Sequence, residues 1–185
     1  MGKLVRIIYF LFALIFLGYL SLPNFEFPKP PPDSLQSNEP ADTETSLRRA
    51  YFTNYTREEV IEHYLKQMKR SPISNIPLPT YRLNYPPEEA QTIIRDQTRS
   101  TFLEEIVHPL RESVFVNGFE PKESKDTIFI DGRLWRQKII IRYIPSNLFV
   151  RIVIGVLILI LTPIIFRSGE QNLKTFVDRL KGDYA

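Results

Sequence analysis

The sequence predicts a small α+β domain, two helices on an antiparallel sheet of about four or five strands, flanked by two transmembrane helices. Three observations lead there. Two long apolar stretches, Leu4–Leu22 and Leu148–Phe166, stand on either side of a region of mixed composition. Asp131-Gly132 lies between two alternating runs, Asp126–Ile130 and Arg133–Ile144. Asp-Gly marks a hairpin because a type I′ turn needs positive φ at both central residues. A capping box followed by an apolar stripe at helical spacing opens at Thr56.

The first apolar stretch, preceded by Lys3 and interrupted by Arg6, is about 19 residues long, enough to cross a hydrocarbon core of ~30 Å. It is longer than the core of a cleaved signal peptide, and Gly18–Pro23 makes a poor cleavage site, so it reads as a signal anchor. Pro23–Pro40 follows with six prolines, including Pro30-Pro31-Pro32. This composition predicts a slack, polyproline-like linker.

In the domain, Thr56 is the N-cap and Glu59 the N3 partner, with Tyr55 and Val60 as a hydrophobic staple. Val60, Ile61, Tyr64, Leu65 and Met68 form the buried stripe, and Ser71-Pro72 ends the helix. Thr80–Tyr85 reads as a strand. Pro86-Pro87-Glu88-Glu89 opens a second helix, to about Arg99, with Ala90, Ile93, Ile94 and Gln97 inward. Strands are expected over Thr101–Val107 and Ser113–Phe119, because Pro109 would break a helix there. In the last strand Trp135, Gln137, Ile139, Ile141 and Tyr143 point one way. Arg136, Lys138 and Arg142, with Leu134 and Ile140, point the other.

A hinge, Pro145-Ser146-Asn147, leads into the second span, which carries Arg151 one turn from its start and Pro163 near its end. Ser168 and Gln171 read as a second capping box. Leu173, Phe176, Val177 and Leu180 would then form a membrane-surface helix beside Lys174, Arg179 and Lys181. The chain thus divides into a signal-anchor helix over 1–22, a proline-rich linker over 23–40 and an extracytoplasmic domain over 41–146. A transmembrane helix over 147–166 and a cytoplasmic amphipathic tail over 167–185 complete it. Lys3 and Arg6 before the first span, and four basic residues after the second, place both termini in the cytoplasm by the positive-inside tendency.

Composition limits function. The chain has 185 residues, no cysteine and a net charge of +3. About 105 of the residues, Ala41–Ser146, are left to build one core. A thiolate nucleophile and a cysteine-ligated metal are excluded. The charge is too small, and too little clustered among aromatics, to point to nucleic acid.

The candidates for chemistry are few. His63 stands between Glu59 and Glu62 on the first domain helix without a second histidine one turn on. His108 follows Glu104-Glu105, an acid–base pair at most. Asp96, Asp126 and Asp131 read as helix-surface, strand-flanking and turn residues. Asn117-Gly118 reads as a turn or bulge. Asn54-Tyr55-Thr56 matches a glycosylation sequon. Tyr51, Tyr55, Tyr64, Tyr81, Tyr85 and Trp135 form a groove for sugars or an aromatic core. No catalytic, cofactor-binding or metal-binding constellation emerges. The residues expected to do something outside the fold are Arg136, Lys138, Arg142 and Arg151, at the headgroups of the membrane surface.

Four stretches carry a resemblance. Tyr55–Tyr64, Tyr85-Pro86-Pro87-Glu88-Glu89-Ala90, Glu104-Glu105-Ile106-Val107-His108-Pro109 and the Asp131-Gly132 hairpin leading into the span resemble two-span membrane proteins of bacteria with reduced genomes. That resemblance implies the layout and brings no activity, cofactor or ligand. The expected function is a membrane-anchored, extracytoplasmic interaction or envelope-assembly module, non-enzymatic. Its partners would be the lipid bilayer and other membrane or envelope proteins, with a homo-oligomer among the options. A ligand-binding or sensory input domain signalling through the spans comes second. An enzyme acting on envelope polymers comes third.

Overall fold

The structure of the protein, a computed structural model, describes residues 2–93 and 99–182. Two compact units are distinguished, the domain Pro23–Ser146 and the pair of helices on either side of it in the chain.

Helix α1, Lys3–Ser21, belongs to the helical unit. The domain then contributes β1 (Leu35–Gln36), β2 (Arg48–Thr53), α2 (Arg57–Met68), β3 (Tyr81–Tyr85) and α3 (Pro87–Ile93). It continues with β4 (Phe102–Val107), β5 (Ser113–Phe119), β6 (Ile128–Ile130), β7 (Arg133–Trp135) and β8 (Gln137–Ile144). Helix α4, Leu148–Gly182, closes the chain. In the helical unit α1 packs on α4, and the Tyr9 hydroxyl donates to the Leu159 carbonyl. Both helices are long and apolar enough to span a membrane.

The α+β class holds, with six antiparallel strands in the order β1-β2-β8-β5-β4-β3. Strand β8 is central and pairs with β2 on one side and β5 on the other. Its inner face, Gln137, Ile139, Ile141 and Tyr143, is buried. Val114 and Val116 of β5, Phe102 and Ile106 of β4, and Tyr51 of β2 join that face. Helix α2 seats Val60, Ile61, Tyr64 and Met68 on it. The helix starts where the sequence places it. The Glu59 N–H donates to Thr56 Oγ1 at 3.2 Å and the Thr56 N–H to Glu59 Oε2 at 2.7 Å. Helix α3 covers part of the opposite face, with Ala90 against Leu103 and Phe115.

Several expectations need correction. The Asp131-Gly132 turn is as read, with φ of 52° and 75°. The strands around it form a separate two-stranded ribbon, β6–β7, and the run Arg133–Ile144 breaks at Arg136 before entering the main sheet. Ser124–Asp126 is a 3₁₀ turn, so the first ribbon strand begins only at Ile128. Asn117-Gly118 is neither turn nor bulge but regular β5, opposite Ile140 and Ile139. Glycine is required there because a Cβ would lie 2.0 Å from the Phe102 ring. Helix α4 runs through Ser168, which therefore caps nothing. The expected inward positions Ile94 and Gln97, with Asp96, and the side chains of Phe176, Val177 and Leu180 lie outside the described residues.

The proline-rich stretch is not slack over its length. It is a strap laid on the domain. The Tyr143 hydroxyl donates to the Phe25 carbonyl at 2.7 Å, and the Arg49 guanidinium sits 4.4 Å over the Phe27 ring. The Lys29 N–H donates to Gln67 Oε1 at 2.8 Å. The Asp33 carboxylate accepts from the Thr53 hydroxyl and the Asn54 N–H, at 2.7 and 2.8 Å. Strand β1 then pairs with β2.

The cap generates a stability prediction. Thr56→Ala should destabilise the domain by about 0.5–2 kcal/mol. Fluorescence of the single tryptophan, Trp135, reads denaturant unfolding of the full chain in detergent. An unchanged midpoint would mean that the cap contributes nothing.

Candidate functional site

An edge strand exposes unpaired backbone groups, and the two edges of this sheet differ. At one end β1 is two residues long and lies between Pro30-Pro31-Pro32 and Pro40, a blunted edge. At the other end β3 pairs with β4 along Tyr81–Tyr85, and no described residue pairs with its outer side. Tyr81 is 58 % exposed and Leu83 45 %. Both point to the face that carries α3, with Tyr85 beyond them. The Tyr85 hydroxyl donates to Glu105 Oε2 at 2.8 Å, which fixes its ring, and the bond to that carboxylate raises the phenol above its usual pKa. Arg82 and Asn84 point to the α2 face, where Arg82 Nε lies 3.7 Å from Glu104 Oε2. Ile73 and Ile76, in the loop before β3, are also exposed. Backbone and apolar side chains are thus both open along this edge.

The two adjacent acids of β4, Glu104 and Glu105, have separate partners. Glu104 is fully buried, and Arg57, in the first turn of α2, donates to it through Nε and Nη2. This contact ties helix to sheet.

His108, Arg111 and Glu112 form a buried cluster at the β4–β5 turn. The Arg111 N–H closes the turn on the His108 carbonyl at 3.0 Å, with Leu110 at φ 59°. Glu112 Oε1 lies 3.1 Å from His108 Nδ1 and 3.3 Å from Arg111 Nη2. Arg111 Nη2 also donates to the Pro23 carbonyl at 2.5 Å, and the Phe25 ring stacks on His108 at 5.1 Å. Proton transfer needs a substrate within reach, and the side chains of both His108 and Glu112 are 0 % exposed. Burial alone would raise the Glu112 pKa. The hydrogen bond from His108 and the Arg111 charge outweigh burial and hold the carboxyl below its ordinary value.

On the α3 face a cleft of about 490 Å³ is lined by Glu39, Asp42, Arg48, Asn117, Lys138 and Ile140 among others. It is mixed in charge. Asn117, 2 % exposed, has no hydrogen-bond partner for Oδ1.

The residues assigned to the membrane surface are not gathered into one basic face. Lys138 Nζ is 2.7 Å from both Glu39 Oε2 and Asp42 Oδ2. Burial would lower its pKa, but these two acids more than offset that and hold it above the usual lysine value. Arg136 lies in the break before β8, its Nε 2.8 Å from Glu120 Oε1. Arg142 is exposed, and among the described residues no acid pairs with it. Arg151, in the first turn of α4, is 4 % exposed and has a partner within the protein.

The remaining candidates have structural places. His63 Nε2 faces the Lys29 carbonyl at 2.9 Å and helps hold the strap. Asn54 Oδ1 accepts from the Arg136 N–H. Tyr51 and Tyr64 are core, Trp135 is buried and Tyr81 is on the edge, so the aromatic set lines no single groove. Among the described residues no cluster of three or more His, Asp or Glu could hold a metal. No family model, curated protein or solved structure matches the chain.

The buried cluster generates a pH prediction. The Glu112 pKa is lower folded than unfolded, so its contribution is complete above the unfolded pKa. It is lost as the pH falls through the folded one. Glu112→Gln removes the carboxylate that faces the Arg111 guanidinium, and breaking a buried pair costs about 3–5 kcal/mol. The variant should unfold earlier at neutral pH, with the difference from wild type shrinking toward acid. Trp135 fluorescence against denaturant across that range checks it. Parallel pH profiles would remove Glu112 from the acid response.

Proposed function

We propose that the protein is a membrane-anchored, extracytoplasmic interaction or envelope-assembly module, acting by presenting a docking strand and not by catalysis. The observation that supports this is the β3 edge, open in both backbone and apolar side chains. A free edge accepts an added strand, with main-chain hydrogen bonds for affinity and alternate side chains for selectivity. The two apolar helices supply the anchor. Lys3 and Arg6 at the start of the first, and Arg167 and Lys174 toward the far end of the second, support cytoplasmic termini. Within this reading the headgroup contact falls to Arg142, since Lys138 and Arg136 are held by acids. The sensory alternative rests on the cleft at Asn117, which is open and charged, whereas a closed apolar cavity would favour a ligand-binding role.

Because the chain has no cysteine, Ser74→Cys and Ser168→Cys each introduce one thiol at an exposed position. An impermeant thiol reagent on intact cells should label the first variant and spare the second. The reverse pattern inverts the topology. Docking predicts that the Arg82–Asn84 amides exchange more slowly in native membranes than in the full chain diluted in detergent until it is monomeric. Equal exchange means that nothing docks on β3.

A further inference from the structure

We propose that the partner of the β3 edge is a second copy of this chain, paired antiparallel through β3 about a two-fold axis at Leu83. This rests on the reading of β3 as a docking edge and names what occupies it.

The argument is the symmetry of the strand. Tyr81-Arg82-Leu83-Asn84-Tyr85 reads nearly the same in both directions when side chains are classed by size and polarity. Antiparallel pairing centred on Leu83 sets Tyr81 opposite Tyr85 of the second copy and Leu83 opposite Leu83. On that face all pairs are aromatic–aromatic or apolar–apolar, the combinations that stabilise neighbouring strands. On the other face Arg82 meets Asn84 of the second copy, so no like charges are opposed and each guanidinium finds an amide oxygen. A second copy satisfies both halves of this pattern at once.

The flanks limit the assembly to two copies. Pro86, with no N–H to donate, follows β3 at once and ends the ladder. Pairing consumes the open edge of the six-stranded sheet in both molecules, and the remaining edge of that sheet in each is the two-residue β1 between prolines. An isologous contact of this kind closes, where a heterologous one would propagate into a fibre.

The pattern of disulfide cross-links tests register as well as contact. Single-cysteine variants of the full chain are oxidised with copper phenanthroline, in native membranes and after purification in detergent. Leu83→Cys should give a covalent dimer, because directly opposed Cβ atoms lie about 4.5–5.5 Å apart. Tyr81→Cys alone should cross-link on the order of tenfold less, since its counterpart is four positions away, roughly 13 Å along the strand. Mixing Tyr81→Cys chains with Tyr85→Cys chains should restore the dimer. Trp135 fluorescence confirms that each variant is folded. The pattern in either medium supports the pairing. Its absence from both overturns it, as does equal cross-linking at every position, which reports collision. If β3 amides are protected in native membranes while no variant cross-links, self-pairing fails and another partner fills the edge. If the amides are also unprotected, the docking reading fails with it.

Discussion

Strand β8 has to satisfy both of its edges and both of its faces at once, and the domain depends on its doing so. Its edges are fixed by β2 and β5. One face supplies Gln137, Ile139, Ile141 and Tyr143 to the core under α2, and the other carries Lys138 and Arg142. A slip of one residue would exchange these sets and bury two cations in place of the core. Gln137 shows how tightly the register is specified. Its amide is fully buried, and Nε2 donates to the Tyr55 carbonyl at 2.6 Å, just before the cap of α2. The strand that closes the sheet also positions the start of the helix that covers it.

The strap is the second constraint. Phe25 and Phe27 pack on the core, while Asp33 supplies acceptors to the end of β2. The His108–Arg111–Glu112 cluster lies under its first residues, so a buried charge network and the course of the strap determine each other. Arg111 needs the Pro23 carbonyl and Glu112, and the strap needs an ordered surface to lie on. Removing one member of such a buried network is costly because it leaves an uncompensated charge in the interior.

Much of this was legible beforehand where local chemistry decides the structure. The Thr56 cap, the Asp131-Gly132 turn, and strands β3, β4 and β5 follow from residue pattern alone. Strand β2 escaped because Arg48-Arg49 is followed by Ala50-Tyr51-Phe52-Thr53, buried on both faces, so no alternation appears. The strap escaped because proline content predicts an extended backbone and says nothing about whether it is docked. Phe25 and Phe27 among the prolines were the available signal. Glu104 gives no sign of being a core residue, because a buried carboxylate is recognisable only once Arg57 is placed against it. The open edge could not be read at all. Tyr81–Tyr85 is a strand by composition, but which strand ends the sheet is decided by pairings between residues far apart in sequence. Lys138 and Arg142 keep the alternation expected of the last strand, whereas Arg136 falls in the break before it, and the acids that hold Lys138 and Arg136, Glu39, Asp42 and Glu120, come from other segments.

One small contact has a wider bearing. The Asn24 amide donates to the Ser146 carbonyl at 2.8 Å, so the two ends of the domain are neighbours. A folded unit whose ends meet can be inserted into, or removed from, a host chain with little effect on that chain's path. To the polypeptide before Pro23 and after Ser146, the whole domain is geometrically equivalent to a tight turn. Such a domain could therefore be gained, lost or exchanged between two chain segments as a single cassette.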